Sequence, residues 1–281
     1  MPIVLALCSA LVYGVGDYYG GRASRSHPSA LVTLVGQAMS LVLVTSAVLL
    51  IGTPVAPADD WWWGGAAGAA GAVGLAAFYY ALGHGAMTVV APTTAVIGAV
   101  LPVVVGLAEG ERPSPIGLAG IVLAVLGVAL VSGAVGTNHG GPTPRYVLAM
   151  AVVGGVGFGM LFVCLDRTES SSGLWPLVAA RLVSVPLLAI VVALSRSRAG
   201  EAGGLMRYAM LAGALDMAAN VLYLAATRSG LLSLVAVVAS LYPVSTVALA
   251  FRLDGEKVSR SQALGMALAA TALVLVTLGR Q

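Results

Sequence analysis

Three charged side chains, Asp17, Arg181 and Asp216, stand inside long apolar stretches of this 281-residue chain; the other 22 of its 25 formal charges fall in connections or near the ends of such stretches. Charge in hydrocarbon costs at least about 2.5–3.5 kcal/mol per residue on insertion scales, so such a residue is expected to face a protein interior or a wet cavity. Asn220, Tyr223 and Thr227 follow Asp216 at i+4, i+7 and i+11. That spacing puts all four on one helical face. A polar stripe of this kind lines a cavity or forms an interhelical hydrogen-bond seam. Arg181 comes to a similar depth on the preceding, antiparallel stretch, so a pair with Asp216 is expected. The pair is either a structural ion pair or a binding device. As a device, Arg181 would grip an anionic group through its planar fork, and Asp216 would bind an amine or carry a proton.

Asp17 lies late in the first apolar stretch, beside Tyr18 and Tyr19. It reads as an interfacial cluster or as the polar mouth of a pathway. Gln37 is an uncharged polar residue within the second stretch, a packing hydrogen bond or a lining group. Tyr13 and Phe158, each followed by a glycine, Tyr79 and Tyr80, and Tyr242 before Pro243 could line a pocket or fill ordinary helix contacts. Pro92, Pro102, Pro186 and Pro243 each remove a backbone donor and bend a helix. Pro92, Pro102 and Pro243 are the candidate gating kinks. No phosphate-cradling Gly-x-x-x-x-Gly-Lys-Ser/Thr loop is present, which argues against an ATP-driven pump within the chain. His27, His84 and His139 are far apart, so neither a metal site nor a cofactor is expected. Cys8 and Cys164 sit within apolar stretches and read as buried thiols.

The elements that must carry these residues follow from composition. Hydrophobic residues make up 59% and charged residues 9%, and mean hydropathy is +0.98; a soluble domain carries about 25% charged residues. The expected class is therefore an all-α integral membrane protein with ten transmembrane helices, at about 3–20, 29–51, 63–83, 87–108, 115–135, 145–165, 174–195, 207–227, 231–251 and 260–278. Abundant Gly and Ala suit close packing where lipid supplies no hydrophobic drive. Trp61, Trp62, Trp63 and Trp175 read as interfacial anchors. The first stretch lacks a basic leader and reads as an uncleaved helix. The net charge of +3 is scattered at span ends and implies no nucleic-acid partner.

Shifting the chain by 145 residues lays one half on the other without a gap. Glu109-Gly-Glu-Arg-Pro-Ser114 falls on Asp254-Gly-Glu-Lys-Val-Ser259, Gly14 on Gly159, Arg22 on Arg167 and Gly68 on Gly213. This divides the chain into a first five-helix repeat (1–136), a linker (137–144) and a second repeat (145–281) within one transmembrane domain. Five is odd, so the second copy enters the membrane from the opposite side. The result is a pair of inverted repeats, an architecture that lets one half rock against the other.

The doubled Gly-Glu-Arg/Lys turns, together with Leu241-Tyr-Pro243 thirteen residues before Glu256, resemble the drug/metabolite transporter superfamily, EamA-type branch. Gly98 stands where Pro243 stands in the second copy, so a kink in the fourth span must come from Pro92 or Pro102. The resemblance implies a central cavity lined mainly by helices one, three and four of each repeat. It also implies export or uptake, with export the expected direction, of a small metabolite such as an amino acid, or of a drug-like compound. The expected partners are that small molecule, the lipid bilayer of a cell (inner or plasma) membrane and a coupling proton. A membrane enzyme acting on a lipid-linked substrate is the alternative, with Asp166, Arg167 and Glu169 as its thin acid–base cluster. A non-transporting assembly partner is a third. Basic residues number nine in odd connections and four in even ones and the tail, which places both termini outside; the resemblance implies both in the cytoplasm.

Overall fold

The structure, a computed structural model, describes residues 1–131, 144–195, 202–256 and 259–278. The linker expected at 137–144, apart from Pro144, lies outside the described residues, as do His139, Arg196, Arg198, Lys257 and Arg280.

The chain is helical throughout: α1 (Pro2–Ser24), α2 (Ser29–Ile51), α3 (Ala58–His84), α4 (Met87–Ala108), α5 (Pro115–Val131), α6 (Arg145–Asp166), a short 3-10 turn at Ser170–Ser172, α7 (Trp175–Leu194), α8 (Ala202–Thr227), α9 (Leu232–Ala239), α10 (Pro243–Leu253) and α11 (Arg260–Leu278). Among the described residues, eight segments are long and apolar enough to cross a bilayer, counting 232–253 as one. The shorter apolar α5 and its companion α11 complete the ten. The ninth crossing was expected as one helix; it is two, α9 and α10, because Pro243 cannot continue the hydrogen-bond ladder and opens a new helix instead. In the first half, α4 runs unbroken through Pro92 and Pro102.

Helices pair across the two halves. α1 packs on α8 and α3 on α6; α2 packs on α7, α5 on α11, and α4 on both α9 and α10. Exchanging the halves maps this pattern onto itself, as a pseudo-two-fold axis requires. Glycines set the closeness of the crossings. A Cβ on Gly213 would lie 2.1 Å from the Gly36 carbonyl oxygen, and one on Gly68 would lie 2.0 Å from that of Ala180. Hydroxyls complete the seams: Ser9 donates to the Ala219 carbonyl at 2.8 Å and Ser40 to that of Gly213 at 2.6 Å.

The doubled acidic turns show what their residues do. Gly110 (φ 91°) and Gly255 (φ 69°) take the left-handed backbone that each turn needs. The Glu111 carboxylate accepts from the backbone N–H groups of Leu232 and Ser233, at 2.6 and 3.0 Å, at the start of α9. Glu256 accepts from those of Met87 and Thr88, at 3.3 and 3.1 Å, at the start of α4. Each half thus caps the fourth helix of the other, and the six residues match pairwise under the 145-residue shift. The acidic residue two positions earlier reaches an arginine at the end of the other half's first helix: Asp254 pairs with Arg22 at 2.9 Å, and Glu109 with Arg167. Arg25 adds bonds to Asp254 (2.9 Å) and Glu256 (3.0 Å) on the first of these faces.

Cys164 is buried as expected, whereas Cys8 is exposed. An apolar sequence cannot distinguish an exposed, lipid-facing flank from a packed one.

Candidate functional site

A narrow cavity of about 20 Å3, constricted to the size of a water molecule in this state, lies between the two halves. Tyr13 and Asp17 of α1, Gln37 of α2, Arg181 of α7, Asp216 and Asn220 of α8, Phe158 of α6 and Tyr242 line it. Eight of the eleven side chains named from sequence therefore meet in one place. Three do not line it. Tyr79 is buried, with its ring against Gly20. Tyr80 stacks on His84 with centroids 4.1 Å apart. Tyr223 is buried behind Phe162, stacked at 4.2 Å. Of the polar stripe on α8, Asp216 and Asn220 reach the cavity, while Thr227 bonds back to the Leu224 carbonyl of its own helix.

Arg181 Nη2 donates to Asp216 Oδ2 at 2.8 Å. The guanidinium is almost fully covered (2% of the side chain exposed) and the carboxylate less so (14%). Asn220 Nδ2 donates to the Asp216 carbonyl at 2.8 Å, which leaves its own side-chain oxygen without a donor among the described residues. Gln37 is fixed by Ser184, whose hydroxyl donates to Oε1 at 2.9 Å. Asp17 is 6% exposed. It faces the cavity rather than the interface, and among the described residues it has neither a hydrogen bond nor an ion-pair partner. Its neighbour Tyr18 instead donates to Asp254 at 3.0 Å, and Tyr19 stacks on Tyr208.

Gly71, Leu75, Leu161 and Phe162 also line the cavity. As apolar residues in apolar helices they carried no signal of their own. The repeat carried one: under the 145-residue shift Gly71 matches Asp216, Leu75 matches Asn220, Phe162 matches Asp17 and Phe158 matches Tyr13. The backbone of the cavity is two-fold, and its chemistry is not. The α1/α8 side holds both carboxylates, and the α3/α6 side is apolar and aromatic. The lining was expected from helices one, three and four of each half; helices one and three of both halves contribute, helix four only through Tyr242 of the second half and not through α4, and helix two contributes as well, through Gln37 and Arg181.

The thin acid–base cluster at the end of α6 is tied into loop contacts. Arg167 pairs with Glu109, the Glu169 backbone N–H donates to Asp60, and the Glu169 carboxylate accepts from Ser171. Nearby, Arg228 donates to the carbonyls of Glu169 and Gly173. Burial lowers its pKa from the ordinary arginine value, and the charge of Asp60 opposes that shift.

No curated protein matches the chain. A solved structure described only as the crystal structure of a protein is 19% identical, with a TM-score of 0.76 over 99% of this chain and 96% of that one. That likeness concerns the fold. The model of the EamA-like transporter family matches residues 1–133 and again 145–278, and the chain belongs to that family.

Proposed function

We propose that this family member is a secondary transporter that exports a small metabolite such as an amino acid, or a drug-like compound, by alternating access between its two inverted halves in a cell membrane. The observation that carries the reading is the cavity between the halves, with a buried Arg181–Asp216 pair and a lone carboxylate in its wall. A membrane protein that served only as a scaffold would gain nothing from holding charge there at the cost described above. Rocking the halves about the pseudo-two-fold axis exposes such a cavity to one side and then the other. Asp17 and Asp216 are the groups that would bind a coupling proton, and Pro243, at the break in the ninth crossing, is the candidate hinge.

The test is reconstitution of the full chain in liposomes and a counterflow assay with a panel of labelled amino acids, amines and organic anions. The expected result is saturable movement of at least one class, at least tenfold reduced by Asp216→Asn in protein that remains folded. Failure of every compound to move, with folded protein in sealed vesicles, would overturn the proposal.

A further inference from the structure

We infer that the ligand of this cavity is an amphipathic organic cation, held with its charged head at the α1/α8 wall and its apolar body against the α3/α6 wall; the inference deepens the transporter reading and takes its site from it. The first observation is the charge count. The lining holds two carboxylates, Asp17 and Asp216, and one guanidinium, Arg181. Arg181 is committed to Asp216, and no cation among the described residues bonds to Asp17. The cavity therefore carries one uncompensated acidic group.

The second observation is which atoms are presented. Arg181 is the most enclosed of the three charged groups, and its Nε is buried with no partner and no appreciable surface. A ligand entering the cavity meets carboxylate oxygens before it meets the guanidinium. Asn220 adds a side-chain oxygen lacking a donor on the same wall. These oxygens ask for a positive group or an N–H donor. An anionic ligand would meet carboxyl oxygens first, with the one cation of the lining behind them and already paired.

The third observation is the opposite wall. Phe158, Leu161 and Phe162 of α6, with Leu75 of α3, occupy the positions that the repeat symmetry pairs with the polar side or adjoin them. Tyr13 and Tyr242 join the two walls. Aromatic faces attract cations and cover apolar bodies equally well.

Three probes of similar ring size separate the cases: benzyltrimethylammonium (a fixed cation), phenylalanine (a zwitterion) and benzenesulfonate (a fixed anion). Their binding to the full chain in nanodiscs is measured by calorimetry, and their movement in proteoliposomes by tracer uptake. The cation is expected to bind at least tenfold more tightly than the anion. Asp17→Asn is expected to weaken cation binding at least tenfold and Asp17→Glu to retain it. Equal or tighter binding of the anion or the zwitterion overturns the inference, as does full cation affinity in folded Asp17→Asn. If that variant does not fold, the wild-type preference and Asp17→Glu decide. Movement of phenylalanine or the anion without a cation preference overturns this inference and leaves transport standing. Asp17-dependent cation binding with no probe moved leaves the inference standing and overturns transport. Binding of none of the three overturns the inference.

Discussion

Arg181 and Asp216 stabilise the bundle only as a pair. Removing one partner of a buried ion pair leaves an uncompensated charge and costs about 3–5 kcal/mol, whereas replacing both by apolar residues of similar volume is often neutral. Arg181→Ala should therefore destabilise the folded protein by about 3 kcal/mol in a denaturant titration of micelle-solubilised chain. The double variant Arg181→Met with Asp216→Leu should recover most of that loss and remain inactive in transport. A double variant no more stable than Arg181→Ala alone would mean that the pair is not the source of the effect. This pair was legible in the sequence because charge in an apolar span is rare enough to stand out. Asp17 was half legible: its identity drew notice, but the adjacent tyrosines suggested an interface, and one turn of helix decides between interface and cavity. Gly71, Leu75, Leu161 and Phe162 were not legible by type, since lipid, packing and cavity all accept such residues. Only pairing them with their repeat partners could have placed them.

Between helices, the duplicated turns act as reciprocal caps. Glu111 and Glu256 each satisfy two backbone N–H groups at a helix start, where a negative charge is also favoured by the helix dipole. Losing a cap costs about 0.5–2 kcal/mol. Glu111→Ala should raise amide exchange at 232–235, and Glu256→Ala at 87–90, each leaving the other site unchanged; exchange that rises at both sites in either variant would contradict two independent caps. The sequence displayed the turns and their repetition but not their role, because a cap donated to the other half of the chain has no local signature. Crossing geometry gives a second prediction at this scale. Gly213→Ala and Gly68→Ala each place a Cβ against a backbone carbonyl, so each should lower the thermal midpoint, by about 1–3 kcal/mol of overpacking. Gly52→Ala is a contrasting control for space: nothing lies within 4 Å of its Cβ, though its φ of 70° adds backbone strain of its own. Ten crossings and their inversion were legible from hydropathy and an odd repeat count. The break of the ninth into α9 and α10 was visible only as a proline, and prolines within a span do not all break it: Pro92 and Pro102 are accommodated in α4.

For the molecule as a whole, the two faces are fastened unequally. Both carry the reciprocal pair between a turn and an arginine at the end of a first helix, Arg22–Asp254 on one and Arg167–Glu109 on the other. Only one has Arg25, which binds both Asp254 and Glu256; the matching position in the second half is Ser170, and that face is joined instead by Asp60, which accepts from the Glu169 backbone N–H and the Ser172 hydroxyl. Exposed pairs are worth about 0–1 kcal/mol each, so the two Arg25 bonds contribute roughly 1–2 kcal/mol at most to the closed state of that face. A difference of that size changes a population ratio by a factor of about 5–30. It can tilt an alternating cycle without locking it, and it does not touch the cavity. Arg25→Ala should therefore widen distances measured between spin labels placed across the Arg22/Asp254 face, shifting the population toward the state open there by up to about thirtyfold, while ligand affinity of each state stays the same. Arg167→Ala should act in the opposite sense and more weakly, because it removes one exposed pair rather than two. If both variants shift the distances in the same direction, the fasteners hold the bundle together without setting which side it opens to.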